Sequence, residues 1–150
     1  MPSAPTSCFI DTNILLYLRN RRVMEKHEAA LRWYGFLEKR NAIVLSPQVL
    51  NEYCNVITTK FRDASTPELR EAVKAHAVWC KAETSVASAL KALELQSQMH
   101  VRFYDAVLLS SAILHGCTHF LSEDLQHGRL IGQMRVVNPF LAAPDAVLMI

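Results

Sequence analysis

Cys8-Phe9-Ile10-Asp11-Thr12-Asn13-Ile14-Leu15 is the stretch on which the fold turns. Three apolar residues, a polar break and a renewed apolar run spell strand, turn and helix, with an aspartate at the carboxyl end of the strand. Ligands bind at that end of strands in open parallel sheets. A single aspartate there also has an ordinary use as a helix cap, so its meaning depends on where the other acids fall.

Working outward, residues 25–40 repeat apolar positions at Ala30, Leu31, Tyr34 and Leu37, which predicts a helix, and Ala42-Ile43-Val44-Leu45 predicts a buried strand. Ser46-Pro47 supplies a cap and a preset dihedral for a helix from Gln48 to about Lys60. Thr66-Pro67 repeats the device for a helix reaching about Lys81, and Ser85 or Ser88 opens another towards Met99. Residues 106–114 are apolar or small all round, a fully buried helix that Gly116 is placed to end. Residues 117–122 and 135–137 read as the last two strands. Short strands alternating with helices pair in parallel through right-handed crossovers. The fold class is therefore α/β, a three-layer α/β/α sandwich with a central parallel sheet of about four or five strands, and 1–150 reads as a single domain with its core at about 8–140.

Four acids occupy telling places. Asp11 ends the first strand and Asp124 follows the strand at 119–122. Asp105 opens the most apolar helix, where an unpaired charge would lose hydration. Glu52 flanks the stripe of Val49, Tyr53 and Val56. Strand ends and helix starts at one sheet edge converge, and two carboxylates about 4 Å apart repel by about 4 kcal/mol at an effective dielectric of 20. A divalent cation removes that penalty. All-oxygen ligation favours magnesium or manganese, whereas zinc prefers histidine or cysteine pairs, and Gly116 separates His115 from His119. Such a centre activates water against a phosphodiester. Phosphate-cradling and dinucleotide glycine loops are absent, as is a nucleophile elbow.

Composition sets the remaining bounds. The chain has 51% hydrophobic and 20% charged residues, ordinary globular usage. Net charge of +2 is too mild for whole-surface attraction to nucleic acid, so any grip must be local. Arg19, Arg21, Arg22 and Lys26 form the densest basic run, with Lys60 and Arg62 a smaller one. Four scattered cysteines, no leader pattern and no membrane-length apolar run lead to the expectation of reduced thiols in a soluble cytoplasmic protein.

Phe9-Ile10-Asp11-Thr12-Asn13-Ile14-Leu15, Gln48-Val49-Leu50-Asn51-Glu52, Tyr104-Asp105-Ala106 and Leu121-Ser122-Glu123-Asp124-Leu125-Gln126-His127-Gly128 together resemble, in order, the motifs of the PIN-domain nucleases, specifically the VapC-like toxins of bacterial toxin–antitoxin pairs. The resemblance runs from about Cys8 to Phe140; the tail 142–150 matches no motif. It implies the PIN fold, magnesium or manganese held by Asp11, Glu52, Asp105 and Asp124, endonucleolytic cleavage of RNA, a cognate antitoxin as partner, and frequent homodimers. By position, Asp11 and Asp105 become the principal metal carboxylates, Glu52 a direct or water-mediated ligand, and Asp124 the second-metal or water-orienting group. Asn13, Thr12 and Ser122 support them, and strand alternation turns Glu123 to the other side. The alternative is a catalytically silent RNA- or antitoxin-binding module with the same fold.

Overall fold

A computed structural model of the chain describes residues 5–148. The chain forms two compact units, one comprising the segments up to Val44 and from Gly116 onward, the other Leu45–His115.

The first unit carries the sheet. β1 (Cys8–Ile10) lies between β2 (Ile43–Val44) and β3 (His119–Leu121), parallel to both; β5 (Met134–Val137) pairs parallel with β3, and β4 (Leu130–Ile131) closes the edge antiparallel to β5. The parallel core is the expected one. The antiparallel edge strand is additional to it, although Gly132-Gln133 joins Ile131 to Met134 as a two-residue hairpin whose first position needs a positive φ (+61°) that glycine supplies. Phe9 and Phe120 face each other in register and stack at 5.2 Å, 3° apart in plane.

Asp11 caps α1 (Thr12–Tyr17), and α2 (Met24–Lys39) follows. Its buried face is Ala29, Ala30, Trp33 and Leu37; Leu31, expected inward, is exposed. Trp33 displaces it because its indole N–H finds two carbonyl acceptors, Pro139 at 3.1 Å and Ala142 at 2.9 Å, near α7 (Pro144–Leu148).

The second unit is all helix. α3 (Pro47–Val56) starts at Ser46-Pro47 as expected, but the buried Ser46 hydroxyl makes no hydrogen bond among the described residues. Thr84 Oγ1 instead accepts from the Gln48 amide at 3.2 Å. The expected continuous helix to Lys60 is interrupted: after Val56 the chain widens into a π turn, Ile57–Phe61, and stops at Arg62 in the left-handed region (φ +52°). That conformation costs a residue with a side chain about 1–2 kcal/mol. α4 (Thr66–Ala77) is capped by Ser65 in a reciprocal box with Glu68, one residue earlier than expected, and ends at Ala77. Ser85 and Ser88 form the same box at α5 (Val86–Gln98), so both candidate serines are used. α6 (Phe103–His115) is buried from Ala106 to Ala112 and packs against α5; Gly116 (φ +88°) ends it.

All four cysteines are free thiols, two buried and two half-buried, and burial pushes the Cys117 pKa up to about 12. Among the described residues no helix is long and apolar enough to cross a membrane.

Two histidines set a pH dependence. Burial lowers the pKa of His76, which sits edge-on to Tyr53, and burial aided by the Arg135 charge lowers that of His119. The unfolded chain therefore takes up protons near pH 6.5, where the folded chain does not. Stability is expected to fall as pH drops below 6.5 and to level off beneath the folded values. Urea midpoints across this range test it; a His76→Gln, His119→Gln double variant should lose this part of the slope.

Candidate active site

At the carboxyl edge of the sheet, Ile10 pairs with Leu121, so the residues that follow the two strands are neighbours. Asp11 extends the ladder through its amide to the Leu121 carbonyl at 3.0 Å and then turns the chain into α1. Its carboxylate is pinned at both oxygens. Oδ1 accepts from the Thr12 amide at 2.7 Å and Oδ2 from the Ser122 hydroxyl at 3.0 Å. Only 8% of Asp11 is exposed, so the charge stands in a poorly hydrated place with donors aimed at it.

Ser122 is the hinge of this arrangement. Its hydroxyl donates to Asp11 and accepts the Asp124 amide at 3.2 Å, while its own amide bonds the Val137 carbonyl at 3.0 Å. The exposed Asp124 receives the Asn13 side-chain amide on Oδ2 at 3.2 Å. Asp11, Thr12, Asn13, Ser122 and Asp124, all expected at the site, are thus joined by one hydrogen-bond network.

Glu123 is held by partners outside this network. Tyr17 donates to its Oε1 at 2.9 Å and Lys26 Nζ lies 2.6 Å from its Oε2. The Glu123 hydrogen bond raises the Lys26 pKa, and burial followed by Glu123 raises that of Tyr17. The same ammonium lies 5.3 Å and 5.2 Å from the Tyr17 and Phe140 ring centres. Lys26, which sequence groups with the RNA-binding run, is therefore engaged in packing and an ion pair. Tyr17 has no signal in the sequence, because nothing in a helical pattern links it to an acid 106 residues away.

The other two acids belong to the helical unit. Glu52 is half-buried on α3 and accepts from Gln48 Nε2 one turn back at 3.1 Å. Asp105 lies in the first turn of α6, where the helix dipole favours a negative charge, with Arg102 Nε at 3.2 Å. Among the described residues, no group of three or more His, Cys, Asp or Glu side chains is disposed to hold a metal ion. The donors that do stand together, two carboxylates, a hydroxyl and a side-chain amide, are hard oxygen ligands that suit magnesium or manganese and not zinc.

A comparison with known families matches residues 8–131 to the PIN domain. The chain belongs to the PIN domain family. Its fold is the PIN fold, and the expected α/β/α class is borne out. Solved structures of similar fold point the same way. A toxin–antitoxin complex from Klebsiella pneumoniae superposes on this PIN domain with a TM-score of 0.63 at 22% identity, covering 89% of this chain and 98% of the other. VapBC2 from Rickettsia felis, bound to a promoter DNA fragment, gives 0.61 at 16% identity over 87% and 97%. Mycobacterium tuberculosis VapC20, a toxin cleaving the sarcin-ricin loop, gives 0.56 at 21% identity over 76% and 87%. No curated protein matches the chain significantly.

Removing the Ser122 hydroxyl deletes a hydrogen bond to a charged, buried carboxylate and leaves the Asp124 amide without that acceptor. Ser122→Ala is expected to lower unfolding free energy by about 2 kcal/mol. Urea denaturation at neutral pH measures it; a change within about 0.5 kcal/mol, ordinary for a neutral surface substitution, would show that the bridge does not hold Asp11.

Proposed function

We propose that this PIN domain is a metal-dependent endoribonuclease and the toxin of a toxin–antitoxin pair. The observation that carries the reading is Asp11, pinned at both oxygens at the carboxyl end of the central strand and linked through Ser122 to Asp124. The nature of the fold neighbours, toxins and toxin–antitoxin complexes, supports it. One family match running through both compact units supports treating the chain as a single domain.

In this reading Asp11 and Asp105 are the principal carboxylates for magnesium or manganese, Glu52 ligates directly or through water, and Asp124 orients water or serves a second ion. The ion, when bound, supplies an activated water and neutralises charge on the phosphodiester under attack. The chain's own task is to fix its acids beforehand. Thr12 and Ser122 lock Asp11 in one rotamer, and Asn13 steadies Asp124 while leaving that carboxylate exposed. Gln48 restrains Glu52 in the same way. Arg19, Arg21 and Arg22 bind phosphates; Arg21 and Arg22 are exposed. Partners are RNA, a cognate antitoxin and a second copy of the chain, in the cytoplasm.

One observation favours a second reading, the silent RNA- or antitoxin-binding module: no metal-ready group of three side chains exists among the described residues. Cleavage of RNA by the purified chain, abolished by chelation, decides for the enzyme.

Asp11→Asn and Asp105→Asn are each expected to lower metal-dependent cleavage by roughly 100-fold or more, the scale of losing one positioned electrostatic group. The fold should survive. Asparagine caps a helix as well as aspartate does, and the Ser122 hydroxyl has a second lone pair for an incoming amide. Calorimetry and a cleavage assay check the two halves, and full-speed cleavage by Asp105→Asn would remove that residue from the site. Reversing the charge of Arg21 and Arg22 is expected to weaken RNA binding and flatten its salt dependence, by roughly 0.7 in log–log slope for each phosphate no longer neutralised. An unchanged slope would make them merely solvated side chains.

A further inference from the structure

The smaller basic run, Lys60 and Arg62, has no part in the site described so far, yet it continues the helix that carries Glu52. In an uninterrupted α-helix the seventh residue onward returns to nearly the same face, which would set Thr59 in line with Glu52. The π turn takes about one residue more than an α turn and passes that place to the eighth, Lys60. Burial shows the same rephasing. Val49, Tyr53 and Ile57 are buried and Phe61 is half-buried, so spacing by four keeps one inward face that a regular helix would rotate away. The sequence provides for the widening, since the Thr58 and Thr59 hydroxyls donate to the Cys54 and Asn55 carbonyls, at 2.9 Å and 2.5 Å.

The residue that stops the turn is equally telling. Arg62 holds φ +52°, a place where glycine is unstrained, and its backbone N–H bonds the Ile57 carbonyl at 2.7 Å. Glycine would make that bond without the strain, so the local fold gives no reason for a guanidinium there. Both cations are exposed, and Lys60 Nζ lies 6.0 Å from the Phe61 ring centre. Asp63 follows directly, leaving two cations against one anion, a balance suited to short-range hydrogen bonding and not to long-range attraction.

We infer that Lys60 and Arg62, displayed by the π turn and its left-handed stop, grip backbone phosphates of single-stranded RNA roughly 12 Å along the helix from Glu52, eight residues at the α rise. They are positioning residues for the substrate, and the inference rests on the nuclease reading above. The grip is on phosphate and carries no base preference.

The test measures binding of single-stranded RNA across a salt series with the Asp11→Asn chain, alone and with Lys60→Ala, Lys60→Arg, Arg62→Gly or, as control, Lys74→Ala, an exposed α4 residue paired with Glu71. Lys60→Ala is expected to weaken binding about tenfold and reduce the log–log salt slope by about 0.7. Lys60→Arg restores both and Lys74→Ala changes neither. Arg62→Gly weakens binding alike while raising the thermal midpoint, the opposite of what a structural role predicts. With Asp11 restored, cleavage should show KM raised by the same factor and kcat unchanged. RNA binding and slope unaltered in Lys60→Ala and Arg62→Gly, or a lowered midpoint in Arg62→Gly, overturns the inference while the nuclease reading stands. A chain that neither binds nor cuts RNA overturns both.

Discussion

Everything in the first unit depends on β1 being paired on both sides. Three residues, Cys8 to Ile10, are almost completely buried and hydrogen-bonded in parallel to β2 and β3. Parallel neighbours cannot be joined by tight turns, so the chain must leave and return by long connections. One such connection is α1 with α2; the other passes through the whole helical unit before the chain re-enters at β3. This topology brings residues more than a hundred apart in sequence to one sheet edge. The Asp11–Ser122 hydrogen bond is a by-product of the Ile10–Leu121 register, and a one-residue slip of β3 would abolish it.

A polar network at that edge is favourable only because it is satisfied. Asp11 and Ser122 are both buried, and each would be costly alone. Together they use Oδ1, Oδ2 and both capacities of the hydroxyl, with the neighbouring Thr12 and Asp124 amides as further donors. The Thr12 amide and the Ser122 hydroxyl, both neutral, solvate the carboxylate by hydrogen bonding.

The parts of the structure that are legible in the sequence follow from local signals of uniform sign. The buried strands, the serine-started helices and the wholly apolar α6 each announce themselves within a dozen residues. The rest is settled by competition between signals. Leu31 and Trp33 both fit a helical stripe, and the hydrogen bonds of the indole to Pro139 and Ala142 decide which turns inward. The π turn is invisible to a 3.6-residue period by construction, and β4 is two residues long. At the candidate site, the motif order locates Asp11, Asn13, Ser122 and Asp124, which the sheet joins. For Glu52 and Asp105 the same motifs give identity alone, because a helical period specifies a face and not what that face meets.

The adjacent acids Glu123 and Asp124 show how a fold gives chemically similar side chains different surroundings. Glu123 has the longer reach and is held by Tyr17 and Lys26, with only 17% of its side chain exposed. Bringing it to the edge would break an ion pair with Lys26 and strip an aromatic cage of its counter-charge. Asp124 has a shorter side chain with fewer rotamers, and the Ser122–amide bond fixes its backbone. Its carboxylate is left exposed, with the Asn13 amide on one oxygen. Lys26 thereby fixes where Glu123 lies, and a second carboxylate brought close to Asp11 in poorly hydrated surroundings would raise the pKa of one of the pair.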